Sequence, residues 1–296
     1  MTDALADRIA AALDAPIAPE VRAIAAELGR ESGARAVLFY GSNLRTGSLE
    51  GVLDFYVLLP GAQVERIWPR VSYREWETPD GTLRAKIATM ALATFARAAS
   101  GQSRDTTIWA RFVQPAGLAW AADDAARGEV ASAIAAAVQT AGRLAAAIGP
   151  PEGTASDYWA ALFRATYRAE FRIEKPGREN DILSVNAAHF DGLLPLAWEA
   201  AGISFNRADA LLRPALPEAE IARILRWWKV RARFGKPLNL LRLSKASTTF
   251  DGAAAYAAWK IERHTGVAVP LTPWREKHPF LAAPGVLLRV WRARRG

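Results

Sequence analysis

The spacing of apolar and polar residues divides the first part of the chain into two helices and two strands. Apolar residues recur at helical spacing in Ala4–Leu13 and 19–28, which predicts two amphipathic helices. Two short apolar runs follow, Ala36–Tyr40 and the run from Leu53, and each predicts a buried β-strand. A Gly-Ser pair between these runs predicts a turn that opens a short helix at Asn43.

The pattern after these strands predicts one hairpin and then mostly helices. A turn signal at 78–81 separates two predicted strands within 71–90. The segment 105–121 predicts two helical pieces that are broken at Pro115. The alanine-rich segment 121–148 predicts a long helix.

A linker rich in glycine and proline, 149–153, is the clearest break in the sequence. It predicts an α/β domain over 1–148 and a mainly helical domain over 154–296. Thr154 or Ser156 can cap the first helix of the second domain. Further helices are predicted at 165–182, at 181–202, from Pro217 onward and at 248–266.

Composition narrows the class of protein. Of 296 residues, 51% are hydrophobic and 23% are charged, which is ordinary for a globular protein. The absence of cysteine excludes disulfides and thiolate chemistry, and the three histidines lack the spacing of metal ligands. No stretch has the apolar run of a signal peptide or of a membrane span. We therefore expect a cytoplasmic protein.

The net charge of +8 is concentrated in one segment. Positions 221–250 contain eight basic residues and no acid, so the rest of the chain is neutral overall. Such a block favours an anionic partner, either a membrane surface or a nucleic acid. The eight residues are Arg223, Arg226, Lys229, Arg231, Arg233, Lys236, Arg242 and Lys245.

The turn between the first two strands carries the candidate chemistry. Gly41 lets the backbone approach a phosphate, Ser42 offers a hydroxyl, and the amides of the following helical turn point at the anion. Asp54 is placed to hold Mg²⁺ against the same phosphates. The pattern therefore predicts a site for a nucleoside triphosphate. The alternative is a simple turn followed by an acid on an exposed edge strand.

These residues resemble the signature of the DNA polymerase beta superfamily of nucleotidyltransferases, in which Gly-Ser precedes an acidic strand. That superfamily usually has a second acid where this chain has Tyr56. A narrower family, the mitochondrial-type phosphatidate cytidylyltransferases and their bacterial relatives, is similar at both places. The matching residues are Tyr40, Gly41 and Ser42 in the turn and Asp54, Phe55 and Tyr56 in the strand.

Two later segments also resemble that family. Arg111 and Pro115 match one motif, although Gln114 stands where the family has a lysine. The second match consists of Tyr167, Glu170 and Arg172 at the family's spacing. The carboxy-terminal part resembles the family's winged-helix-like region weakly.

Glu170 and Glu174 are four residues apart, so on a helix they share a face, and one of them could complete a metal site. The alternative is a set of exposed ion pairs. Lys86 lies near the position of the superfamily's third carboxylate, where it could offset triphosphate charge or be a surface lysine on an edge strand.

The resemblance implies the reaction of CTP with phosphatidate to give CDP-diacylglycerol and pyrophosphate, with Mg²⁺ as the metal cofactor. It implies a nucleotidyltransferase-type α/β domain followed by a mainly helical region. The implied catalytic residues are Asp54, Lys86 and Arg172. The implied nucleotide-binding residues are Tyr40, Gly41, Ser42, Arg111 and Tyr167. The implied metal ligands are Asp54 and Glu170.

A lipid substrate implies peripheral contact with the inner face of the membrane. Indole rings beside cations suit the boundary of lipid headgroups, although a tryptophan pair also occurs in cores. The predicted lipid-contact residues are Arg226, Trp227, Trp228, Lys229, Trp291 and Arg292. Two other functions remain open: a soluble nucleotidyltransferase that modifies a small molecule or protein, and a catalytically inactive nucleic-acid-binding module. We expect no stable nucleic-acid partner.

Overall fold

The computed structural model describes residues 4–79, 81–170 and 178–249 and single positions between 258 and 274. Three predicted site residues, Arg172, Trp291 and Arg292, lie outside the described residues, as does most of the predicted helix at 248–266. Glu174 also lies outside them.

The first part of the chain folds into a mixed five-stranded sheet with helices packed around it, which confirms the predicted α/β class. The strands lie in the order β3-β4-β2-β1-β5, and only the β2–β4 pair among them is parallel. The predicted strands and the hairpin are present. The strands are β1 (Ala36–Tyr40), β2 (Leu53–Leu59), β3 (Arg70–Thr78), β4 (Gly81–Ala91) and β5 (Ala116–Ala121).

The prediction of a second helical piece before residue 121 is wrong, because this segment forms β5. It pairs antiparallel with β1, with Tyr40 opposite Ala116. The sequence of β5, AGLAWA, has no β-branched residue and gives little strand signal of its own. Pairing with the free edge of β1 decides its conformation, so tertiary context overrides local propensity.

The helices around the sheet agree with the predicted pattern at the amino-terminal end and in the alanine-rich segment. They are α1 (Ala4–Leu13), α2 (Pro19–Ser32), α3 (Ser42–Thr46), α4 (Leu92–Ala99), α5 (Thr107–Phe112) and α6 (Asp124–Ile148). Strand alternation gives the sheet two buried faces. Leu38, Tyr56 and Met90 pack against α1, α4, α5 and α6 on one face, and Phe39 and Phe55 pack against α2 on the other.

In the second half of the chain, the described residues up to 249 form a small sheet and five helices. Thr154 caps the first of them through a capping box with Asp157. These elements are β6 (Gly153–Thr154), α7 (Ala155–Ala169), α8 (Arg178–Val185), α9 (Ala187–Phe190), α10 (Leu193–Ala200), β7 (Phe205–Ala208), β8 (Leu211–Pro214) and α11 (Glu218–Thr249). The sequence did not predict the small sheet.

Helix α6 lies at the centre of the larger core. By length and composition it could cross a membrane, but 61% of its most apolar window is buried inside the protein. It packs against α4, α5, α7 and α10, and its Leu144 shares one hydrophobic cluster with Trp159 of α7 and Trp198 of α10. That cluster therefore includes side chains from both sides of the linker at 149–153.

Candidate functional site

Three predicted site residues form a row across neighbouring strands. In the strand register Tyr40 of β1 lies opposite Asp54 of β2, and Asp54 lies beside Lys86 of β4. Residues that are aligned in this way project from the same face of a sheet. The row lies on the face covered by α4, α5 and α6, where the strands meet the turn that contains Gly41.

Gly41 brings the backbone against the Asp54 carboxylate. Its φ of 91° favours glycine, and a methyl group at this position would lie 3.1 Å from Asp54 Oδ2. Gly41 and the neighbouring Ser42 are both exposed, so a ligand can reach the turn from solvent. The structure thus brings the turn and the acid together at one accessible place.

Asn43 holds this turn in position, a role that the sequence pattern did not reveal. Its side chain is buried, and Nδ2 donates hydrogen bonds to the carbonyl oxygens of Ser48 and Glu50, each at 2.8 Å. The segment between α3 and β2 is therefore tied to α3. An asparagine directly after Gly-Ser is a sequence signal for this kind of side-chain-to-backbone bond.

Arg111 of α5 joins the row from the helical side. Its Nη1 donates a 2.9 Å hydrogen bond to the Tyr40 hydroxyl, and its guanidinium lies 5.2 Å from the Tyr40 ring centre. Tyr40 is the largest cause of a raised pKa for Arg111, and Tyr56, Asp54 and Glu170 add to it. Arg111 therefore remains a cation, with two acids in its electrostatic neighbourhood.

Burial makes the charged form of Asp54 unfavourable. It raises the pKa of this carboxyl above its usual range, although Lys86 and then Arg111 act in the opposite direction. Among the described residues, no lysine or arginine forms a direct ion pair with Asp54. A buried carboxylate without a direct ion-pair partner is stabilised when a ligand brings a cation to it.

Mg²⁺ fits this donor set when a nucleotide supplies most of the oxygens, because magnesium sites commonly combine one or two carboxylates with substrate phosphates. Asp54 would be the protein ligand. Within residues 4–79, 81–170 and 178–249 and the single positions after them, no group of three or more histidine, aspartate or glutamate side chains forms a metal site. Asp54 is the described carboxylate that lies against the Gly41 turn.

Glu170 does not lie on a helix, so the prediction of a shared helical face with Glu174 is wrong. It follows the last residue of α7 in an extended conformation, with φ −93° and ψ 155°. Its buried carboxylate accepts a 3.4 Å hydrogen bond from Thr106 and lies near Arg111. Its role as a second metal ligand stays a prediction.

Tyr167 also comes from the end of α7, and its ring centre lies 6.4 Å from that of Phe163. The structure therefore places Tyr167 and Glu170 at the end of a helix that packs against α6 and α11, and it brings Glu170 close to Arg111. Nucleotide binding by Tyr167 stays a prediction.

The inner face of helix α11 contacts the segment before α5 and the loop before β3, and the sequence pattern did not reveal these contacts. Arg242 forms a 2.8 Å ion pair with the buried carboxylate of Asp105 and donates a 2.8 Å hydrogen bond to the Trp68 carbonyl. Lys245 donates to the Ile67 carbonyl at 2.6 Å. At least two members of the basic block, Arg242 and Lys245, therefore bind to groups within the protein itself.

The tryptophan pair of α11 packs against the core. Trp227 Nε1 donates a 3.1 Å hydrogen bond to the Gly101 carbonyl, and both rings lie about 6 Å from the buried Trp109 ring. Core packing accounts for these two indoles. Arg226 and Lys229, the cations beside them, are exposed.

No protein-family model matches this sequence, and none of the curated proteins compared with it is similar. The resemblance to a nucleotidyltransferase family therefore rests on the short motifs alone.

A cavity of about 800 Å³ lies elsewhere, between α2 and the β3–β4 hairpin. Its lining includes Trp76 and Leu83, on the α2 side of the sheet and away from the face that carries Asp54. Carboxylates at Glu20, Glu27 and Glu50 make its wall acidic. Because like charges repel, this cavity does not suit a triphosphate.

Proposed function

We propose that this chain is a nucleotidyltransferase and that it transfers a cytidylyl group from CTP to phosphatidate. The observation that carries the transfer chemistry is the position of Asp54, beside Gly41 and between the charges of Lys86 and Arg111. The choice of CTP and phosphatidate comes from the resemblance of the short motifs.

In the proposed reaction, an oxygen of the phosphatidate phosphate attacks the α-phosphorus of CTP. A phosphorus–oxygen bond forms there while the bond to the β-phosphate oxygen breaks, and pyrophosphate leaves with the electron pair. The acceptor is already anionic near neutral pH, so no side chain must remove a proton. His189 is committed to structure, since its Nε2 lies 2.9 Å from the Val113 carbonyl oxygen and burial lowers its pKa.

The protein's work in this reaction is alignment and charge neutralisation. Lys86 and Arg111 would offset the negative charge that develops on the transferring phosphoryl group. The turn at Gly41 and Ser42 would hold the nucleotide phosphates close to the backbone. When bound, Mg²⁺ supplies further neutralisation of phosphate charge, and Asp54 would hold it.

The experiment that tests this proposal measures pyrophosphate release in the presence of Mg²⁺. Each of the common ribonucleoside triphosphates is supplied in turn, with phosphatidate in mixed micelles. We expect release with CTP only, and only when phosphatidate is present. Nucleotide binding without release would contradict the lipid acceptor and direct the search to soluble acceptors. No nucleotide binding at all would contradict nucleotidyl transfer itself.

A further inference from the structure

The outward face of α11 carries a row of cations. Arg226, Lys229, Arg233 and Lys236 are all exposed, and their spacing of three or four residues places them on one side of the helix. This cationic stripe extends over about 15 Å, from the helical rise of 1.5 Å per residue. Among the described residues, no acid pairs with any of the four.

Apolar side chains border the cationic stripe and are also exposed. Leu225 is 40% exposed, Val230 is 46% exposed and Leu240 is 53% exposed. Exposing large aliphatic side chains to water is unfavourable. A helix surface of this kind is therefore stabilised by contact with an apolar phase. The face therefore combines cations with aliphatic side chains.

We propose that this face of α11 docks on an anionic lipid membrane. Cations attract the negative headgroups, while aliphatic residues enter the boundary between headgroups and acyl chains. A nucleic acid fits less well, because phosphate contacts do not use aliphatic side chains and strand binding uses exposed aromatic rings for stacking. The indoles nearest the cationic stripe, Trp227 and Trp228, pack inward against Trp109. The exposed ring of Phe234 is partnered by the Arg104 guanidinium, which lies 4.8 Å from the ring centre.

Docking in this way would hold the candidate site near the membrane. The opposite face of α11 meets the end of α7 at Gly235, where an added Cβ would clash with the Ala169 carbonyl. Glu170 follows directly and lies near Arg111. One helix diameter, about 10 Å, thus separates the cationic stripe from residues around the site. The choice of a lipid partner rests on the proposed function, whereas the binding test below needs no catalysis.

The test measures how the protein partitions onto vesicles of phosphatidylcholine with roughly one-third phosphatidylglycerol. Wild-type protein should bind these vesicles and not vesicles of pure phosphatidylcholine. Replacing the four cations of the stripe by glutamine should weaken binding at least about 50-fold, since each cation near an anionic surface contributes strongly. A control with the same loss of charge replaces four exposed arginines elsewhere and should bind within about threefold of wild type. The control residues are Arg22, Arg30, Arg97 and Arg164.

A second variant separates the two classes of partner. Leu225→Ser with Leu240→Ser keeps every charge and should weaken vesicle binding by about tenfold, because the apolar contribution is lost. Equal losses in the stripe variant and the arginine control would overturn the proposal. Binding to a single-stranded oligonucleotide that is lost in the stripe variant and unchanged in the serine variant would replace the membrane by a nucleic acid.

Turnover with a soluble, short-chain phosphatidate distinguishes this proposal from the proposed function. The stripe variant should release pyrophosphate from CTP at the wild-type rate under these conditions, because no membrane is involved. Vesicle binding by a wild-type protein that releases no pyrophosphate would leave membrane docking standing and contradict only the transfer reaction.

Discussion

Two aspartates in this protein meet arginines in different ways. Asp105 is buried and forms a 2.8 Å ion pair with Arg242, while its second oxygen accepts a 2.7 Å hydrogen bond from Thr107. Asp54 lies near Lys86 and Arg111, yet it forms no direct ion pair with a described cation, and burial raises its pKa.

The difference indicates what each region contributes. A buried acid whose oxygens have direct partners holds elements together, here the segment before α5 and helix α11. A carboxylate that burial penalises, beside an exposed turn, is typical of a site that binds or reacts. The comparison predicts that removing the Asp54 charge increases stability, whereas removing the Arg242 charge, which leaves Asp105 without its partner, decreases stability.

The largest effect is expected from Asp54→Asn. If the proposed function is right, CTP-dependent pyrophosphate release should fall by at least about 1000-fold, because the metal ligand is lost without a change of shape. Asp7→Asn, at an exposed position on α1, is the matched control and should keep wild-type turnover. Normal turnover of the Asp54 variant with unchanged magnesium dependence would show that the central assignment is wrong.

The same substitution should increase stability near neutral pH. The pKa of Asp54 is raised in the folded protein, so folding favours the protonated form. The contribution of Asp54 to stability is therefore greatest when the pH is below its unfolded-state pKa of about 3.8. This contribution is lost as the pH rises through the higher pKa of the folded protein. Thermal unfolding of wild type and Asp54→Asn should show an advantage for the variant that grows from acidic to neutral pH. An advantage that shrinks as the pH rises would contradict the raised pKa.

Asp54 and the Gly41 turn could be predicted from the sequence, whereas the Asp105–Arg242 pair could not. The apolar strands and the Gly-Ser turn are local features. Lys86 and Arg111 were singled out through the resemblance to a family, and the packing of β4 and α5 brings them near Asp54. The partners Asp105 and Arg242 are 137 positions apart, and only the packing of α11 brings them together. Composition marked Arg242 as part of a basic surface because a charge count does not distinguish an inner from an outer helix face.

A large loss of stability is expected from Arg242→Met. The substitution leaves the Asp105 charge buried without its ion-pair partner, which should lower the free energy of unfolding by about 3–5 kcal/mol. Adding Asp105→Leu should restore much of that loss, since an apolar pair can replace a buried ion pair. Urea denaturation measures all of these values.

Arg213→Met is the matched control for the Arg242 substitution. Arg213 pairs with Glu152 at the surface, where both side chains are well exposed, so the expected loss is below about 1 kcal/mol. A loss for Arg242→Met as small as that of the control would mean that the inner pair is not structural.

A smaller effect on turnover is expected from Arg111→Lys. Lysine keeps the positive charge near Asp54, but it lacks the planar guanidinium that donates to the Tyr40 hydroxyl. Under the proposed function, kcat should fall by about 10- to 100-fold with little change in the unfolding midpoint. Arg97→Lys, at an exposed position on α4, should leave kcat unchanged. A fall in stability without a fall in kcat would assign Arg111 to structure, as for Arg242.

The errors of the sequence-based fold have a common cause. The segment that became β5 and the residue Glu170, which lies beyond the end of α7, both depend on distant neighbours. The helix pattern across 165–182 continues past Ala169, but the backbone at Glu170 is extended. Local periodicity cannot report the contact between Ala169 and Gly235 that lies at this point.

The smallest effect on stability is expected from Gly235→Ala. Gly235 lies where α11 packs against α7, and this packing positions α11 so that Arg242 meets Asp105. An added Cβ at Gly235 would clash with the Ala169 carbonyl oxygen, and backbone cannot move aside as a side chain does. Gly235→Ala should therefore lower the free energy of unfolding by about 1–3 kcal/mol, although alanine favours helix.

Gly128 in α6 separates the two contributions, because a Cβ there meets nothing within 4 Å and the position is exposed. Gly128→Ala should raise the free energy of unfolding by about 0.5–1 kcal/mol through helix propensity alone. The two substitutions are chemically identical, so opposite signs in urea denaturation would isolate the cost of the close approach. If both stabilise the protein, α11 can shift away from α7, and the Asp105–Arg242 pair must then tolerate that shift.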